Sequence, residues 1–150
     1  MRKILFKAKE LSGGRWVKGS LVKTPFGTFI EWYEDSICNK REVDPPTICL
    51  FTGFLDKNGK EVYESDVLRS DNYPFSCVED NAYDNYYGIL GWSEQTAVFY
   101  IETVVNPKAS VSGISHGNCD YISQNLLSDF EVIGSVHDKE WQEILKLKSE

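Results

Sequence analysis

An Asn-Gly pair at positions 58 and 59 lies in the middle of the run FTGFLDKNGKEVYESDV, residues 51–67. Both residue types enter the left-handed backbone region at low cost, so the pair marks a type I′ turn, the connection that joins antiparallel strands most tightly. Val62 and Tyr63 favour strands and lead out of the turn, and residues 64–66 bend the chain toward a further strand at Val67. The run is therefore built for antiparallel β structure, and its surroundings extend that reading.

Residues 3–8 alternate, with Ile4, Phe6 and Ala8 on one face and Lys3, Leu5 and Lys7 on the other, the period of a half-buried strand. Gly13-Gly14 turns the chain, residues 15–23 read as the second arm of a hairpin, and residues 26–33 as a third strand after Pro25. Residues 34–46 are polar and close on Pro45-Pro46, which predicts a loop or short edge segment. Short strands are expected at 48–52 and 67–69, a surface loop at 70–85, and the clearest hairpin at 86–92 and 96–105 around the break Ser93-Glu94-Gln95. Residues 106–120, rich in Ser, Gly and Asn, read as an insertion. Residues 130–137 alternate as the last strand, and Asp138 is placed to cap a terminal helix with Trp141, Ile144, Leu145 and Lys148 on one stripe. No internal repeat is visible.

A chain of 150 residues fits one domain and is long enough to bury a core without staples. Aromatic residues make up 13% of it, more large β-favouring rings than a helical bundle needs. The net charge of -7 repels a phosphate backbone unless the sixteen Lys and Arg gather on one face, and they do not cluster in the sequence. Direct nucleic-acid binding is accordingly not expected. The first residues, MRKILFKAKEL, form neither a signal segment nor a membrane span, which points to the cytoplasm. Cys38, Cys49, Cys77 and Cys119 are widely spaced and read as free thiols in a reducing compartment.

Several motifs invite a chemical reading. The calcium-loop register that puts Gly59 at its obligatory position places Phe54 first and Ser65 last, and neither supplies the ligand required there. Starting at Asp56 puts Glu61 at the glycine position and Val67 at the final ligand, so this register fails too. His116 and Cys119 lack two further metal ligands at usable spacing. Gly113-Ile114-Ser115-His116-Gly117 is a literal G-x-S-x-G followed by Asp129 and His137, but its loop-like surroundings lack the strand and helix of a nucleophile elbow. Glu64 and Asp66, two apart on an expected strand, would share a face and are compatible with acid-base work, though such pairs more often rim a turn. Trp16, Trp32, Trp92 and Trp141 lie on separate elements and suit core filling better than a ligand cage.

The block VDPPT at residues 43–47, followed by FTGFLDKNGKEVYESDV, resembles the signature of the YopX family of phage and prophage proteins. The opening MRKILFKAKELSGGRWVKGSLV, residues 88–99 and the closing FEVIGSV at 130–136 resemble flanking family segments in the same order. Thr52, Gly53, Asp56, Asn58, Gly59, Glu64 and Asp66 retain the family pattern, whereas Phe54 and Leu55 depart from it. Ser65 stands where the family usually has Gly, so positive φ is not expected there. The resemblance implies a mostly β fold of several coiled antiparallel sheets, including an SH3-like barrel, with a short C-terminal helix. It carries over no reaction, cofactor or catalytic residue, and implies an accessory protein of a phage or integrated element working in the bacterial cytoplasm.

These readings favour a single domain over residues 1–150 that acts as a non-enzymatic protein-binding or regulatory module. No metal, cofactor or membrane partner is expected. The aromatic content and the number of sheet edges favour a homo-oligomer that also engages a host or phage protein, with the terminal helix packing on its own barrel or on a neighbour. The alternatives are a small hydrolase using Ser115 or the Glu64 and Asp66 pair, and an acidic mimic of nucleic acid that blocks a host DNA-binding protein.

Overall fold

The computed structural model describes residues 1–71, 86–104 and 116–149. The chain divides into two compact units, Met1–Gly53 and Phe54–Glu150.

The first unit is an antiparallel meander of β1 (Phe6–Lys9), β2 (Trp16–Thr24), β3 (Gly27–Glu34) and β4 (Ile37–Glu42), followed by a 3-10 turn at Pro45–Thr47 and β5 (Cys49–Leu55). Strand β1 pairs with both β2 and β5, which gives the order β4-β3-β2-β1-β5. Gly13 and Gly14, at φ 96 and 69, make the first turn. The alternation in β1 to β3 turns Ala8, Val17 and Ile30 to one side, where they bury with Val43 against Phe6, Leu21, Trp32 and Ile48. Thr47 locks the 3-10 turn onto β1: its hydroxyl donates to the Asp44 carbonyl (2.6 Å) and accepts the Lys9 N–H (2.9 Å).

Residues 34–46, expected as loop or short edge, contain a full edge strand, β4. Asp35 and Ser36, at φ 50 and 66, join it to β3 through a two-residue turn closed by the pair Glu34 and Ile37. The turn lacks the Asn-Gly signal by which such connections are read, and β4 is polar because it is exposed on both faces.

The second unit contains β6 (Glu61–Tyr63), which forms a hairpin with the end of β5, then β7 (Asp66–Ser70), β8 (Tyr86–Ser93), β9 (Val98–Val104), β10 (His116–Tyr121), α1 (Gln124–Leu127), β11 (Glu131–Ser135) and α2 (Lys139–Ser149). Its five-stranded antiparallel sheet runs β10-β9-β8-β7-β11. Helix α2 covers this sheet: Trp141 is buried with Val67 and Tyr87, and Ile89, Ile133, Val136 and Ile144 pack around them. Gly134 makes the fit possible, because a Cβ there would lie 2.5 Å from the Trp141 indole nitrogen.

The expected loop at 70–85 lies outside the described residues except for its first two positions, 70 and 71. Residues 106–120, read as an insertion, end in β10, whose bulge between His116 and Cys119 hides the strand period in a Ser- and Gly-rich sequence. Helix α1 was not expected, being a single turn capped by the Ser123 hydroxyl. The sheets are open, since the strand orders end without joining their outer strands, so pairing among the described residues closes no SH3-like barrel. Trp141 packs within its own unit, as one of the two placements expected for the helix. No helix among the described residues is long and apolar enough to cross a membrane.

Candidate functional site

The signature residues fall into three places. Thr52 is buried in β5, and the exposed Gly53 beside it has φ 91. Asp56, Asn58 and Gly59 form the turn between β5 and β6, and Glu64 and Asp66 flank Ser65, Glu64 in the next turn and Asp66 at the start of β7.

The first turn differs from the expected type I′. Gly59 has φ 77, but Asn58 is not among the positive-φ residues, and the closing hydrogen bonds run from the Gly59 N–H to the Asp56 carbonyl (3.0 Å) and from the Asp56 N–H to the Lys60 carbonyl (2.8 Å). This is a three-residue loop in which only the last position is left-handed, which makes Gly59 the indispensable member of the Asn-Gly pair. Asp56 organises it from inside. Its side chain is buried, Oδ1 accepts the N–H groups of Asn58 (2.8 Å) and Lys60 (2.8 Å), and Oδ2 accepts that of Val132 (2.9 Å).

The Val132 bond ties the turn to β11 across 76 positions of sequence. Two further connections reinforce it. The Lys57 N–H donates to the Phe130 carbonyl (2.8 Å), and the Gln124 amide on α1 grips the backbone of Leu55 from both sides, accepting its N–H (3.1 Å) and donating to its carbonyl (2.9 Å). At the surface, Lys57 and Arg69 alternate with Asp71 and Glu131 in a four-membered ion network with contacts of 2.7 to 3.8 Å.

The second turn overturns two expectations. Ser65 has φ 66, so the left-handed conformation is kept although the glycine is not. The backbone position is fixed from both sides: the Ser65 N–H donates to the Leu90 carbonyl (2.7 Å) and its carbonyl accepts the Val136 N–H (2.9 Å). Because Glu64 lies in the turn and Asp66 begins β7, the two do not share one strand face. Asp66 is fully buried and accepts the Tyr63 N–H (2.8 Å), while Glu64 is partly exposed in the turn. Tyr63, also buried, donates its hydroxyl to Glu61 (3.2 Å). Burial, then the charge of Glu61 and its hydrogen bond, then the charge of Asp66 push the phenol well above its ordinary titration range.

Ser115 lies outside the described residues, and His137 follows β11, where its N–H donates to the Ser135 hydroxyl (3.2 Å). No cluster of three metal-ligating side chains occurs among the described residues. Cys49 is buried with its thiol donating to the Thr47 carbonyl (3.3 Å), Cys38 is exposed, neither is in a disulfide, and Cys77 lies outside the described residues. The Cys38 thiol donates to Glu31 (3.2 Å), and this bond, with desolvation and the carboxylate charge, raises its pKa, so it carries less thiolate than an isolated cysteine.

The side chain of Asp56 as a link between distant segments was not foreseen. An Asp two residues before Asn58 is a recognisable turn signal, but nothing local announces Val132 as the partner of its second oxygen.

The family model described as YopX protein matches residues 20–140. No curated protein matches the chain. Among solved structures the chain is similar to the crystal structure of protein EF1440 from Enterococcus faecalis, with 15% identity, a TM-score of 0.53, and coverage of 93% of this chain and 97% of that one. At that identity the likeness concerns the fold alone.

Proposed function

The chain belongs to the YopX family, and from that premise we propose that it is a phage or prophage accessory protein that works by contact, as a protein-binding module in the bacterial cytoplasm and first of all with a second copy of itself. The observation that carries this reading is the β3 and β4 hairpin. Strand β4 ends its sheet, is exposed on both faces, and carries exposed Ile37 at the tip, with exposed Tyr33 of β3 on the opposite face of the hairpin (65% and 71%). In a two-residue hairpin the closing pair exchanges hydrogen bonds and later pairs alternate, so Cys38 and Lys40 direct their backbone groups away from β3. An antiparallel two-fold pairing centred on Cys38 sets Ile37 of one copy opposite Asn39 of the other.

A contact role is further supported by how the signature carboxylates are used: Asp56 and Asp66 accept backbone N–H groups and hold turns. Light scattering coupled to size exclusion tests the reading. At tens of micromolar the protein should elute as a dimer or larger, and Ile37→Asp should shift it to monomer with unchanged circular dichroism. A monomeric wild-type protein would overturn self-association.

A further inference from the structure

The whole-chain charge conceals a division. Met1–Gly53 holds nine Lys and Arg against six Asp and Glu, a net charge of +3, whereas Phe54–Glu150 holds seven against seventeen, a net charge of -10. The expectation that this protein avoids nucleic acid came from the total and does not apply to the first unit by itself.

Strand register places much of that positive charge on one surface. Residues directly opposite in an antiparallel pair share a face, and Lys7 stands opposite Lys18, Lys9 opposite Trp16, Val22 opposite Phe29, and Glu31 opposite both Ser20 and Lys40. The face turned away from Ala8, Val17 and Ile30 therefore carries Lys7, Lys9, Lys18 and Lys40, with the carboxylates of Glu31 and Glu42 and the rings of Trp16 and Phe29 among them, so the lysines outnumber the acids four to two. Rings and ammonium groups are matched: Lys7 Nζ lies 4.8 Å and Lys9 Nζ 5.4 Å from the Trp16 ring centre, and Lys40 Nζ lies 4.6 Å from that of Phe29. Lys18 and Lys40 are exposed, and Tyr33, on the same face, adds an exposed ring at its edge.

We propose that this face of the first unit binds single-stranded nucleic acid. Lysines spread over neighbouring strands of a sheet suit a phosphate backbone, and aromatic rings between them suit unpaired bases, which every sequence can offer for stacking. A duplex presents no free base faces and needs an element that enters a groove, which a sheet surface of this kind does not provide. The proposal is independent of self-association.

The test is fluorescence anisotropy of the full chain with labelled strands of about twenty thymidines or uridines. Binding should saturate, and with up to four lysine contacts the plot of log affinity against log salt should have a slope of about -3. Lys18→Glu should weaken binding about tenfold, from loss of one contact and added repulsion. Lys23→Glu, an equal charge change that the alternation places on the core side of β2, should weaken it far less, and Trp16→Ala should lower affinity without changing the salt slope. Absence of binding at low salt, or equal effects of Lys18→Glu and Lys23→Glu in folded proteins, would overturn the assignment. Competition by polyglutamate as strong as by the oligonucleotide would overturn it in favour of an acidic protein partner.

Discussion

At Gly59 and Ser65 the backbone adopts the same left-handed conformation, φ 77 and 66, with opposite consequences for mutation. A Cβ at Gly59 would meet nothing within 4 Å, so Gly59→Val is opposed by backbone strain alone and should cost about 1 kcal/mol or more. Ser65 already bears that strain, and Ser65→Gly should raise stability by up to about 1 kcal/mol, offset in part by the greater freedom of glycine in the unfolded chain. Urea denaturation of the two variants checks both signs. Tyr63 gives a pH prediction. Its folded-state pKa lies above the ordinary value of 10.0, so above that pH the unfolded phenol ionises while the folded one keeps its proton. Stability should therefore fall as pH rises past about 10, by at most about 1.4 kcal/mol per pH unit from this group. Tyr63→Phe should flatten the alkaline limb of the stability profile, and an unchanged limb would show that another group sets it.

Among the elements, most strands of the first unit were legible because one face of each meets a core and imposes a period of two on its apolar residues. β4 escaped notice for the converse reason: Ile37 to Glu42 meet solvent on both faces, so no period is imposed. The Asn-Gly pair located its turn correctly but gave the wrong type, because Asp56 accepts the N–H groups of Asn58 and Lys60 and thereby favours the longer loop. The same carboxylate joins the turn to β11, so Asp56→Ala leaves three N–H groups without their partner and should cost about 3 kcal/mol in urea denaturation. Helix α2 was legible from its spacing, while its partner was not, since the space beside Trp141 is created by Gly134 in another element. Trp141→Ala should destabilise by about 3 to 5 kcal/mol through the cavity it leaves. It should leave the oligomeric state of the remaining folded protein unchanged, because Trp141 is 3% exposed within its own unit.

For the molecule as a whole, two compact units with separate core clusters imply that unfolding need not be a single event. Calorimetry should resolve two components, and Trp141→Ala should lower the temperature of one while leaving the other in place; a single transition moved as a unit would refute this independence. The bond from Asp56 to Val132 also has a consequence in time. The meander of the first unit is built from neighbouring strands and can form soon after it leaves the ribosome, whereas Asp56 must wait for a residue 76 positions downstream. At ordinary elongation rates that interval is roughly 4 to 15 seconds, during which the turn is tethered but its inner carboxylate oxygen is left to water. The signature run is thus translated near the start of the second unit yet completed near the end of its synthesis, and a ribosome stalled before residue 132 would hold it unfinished.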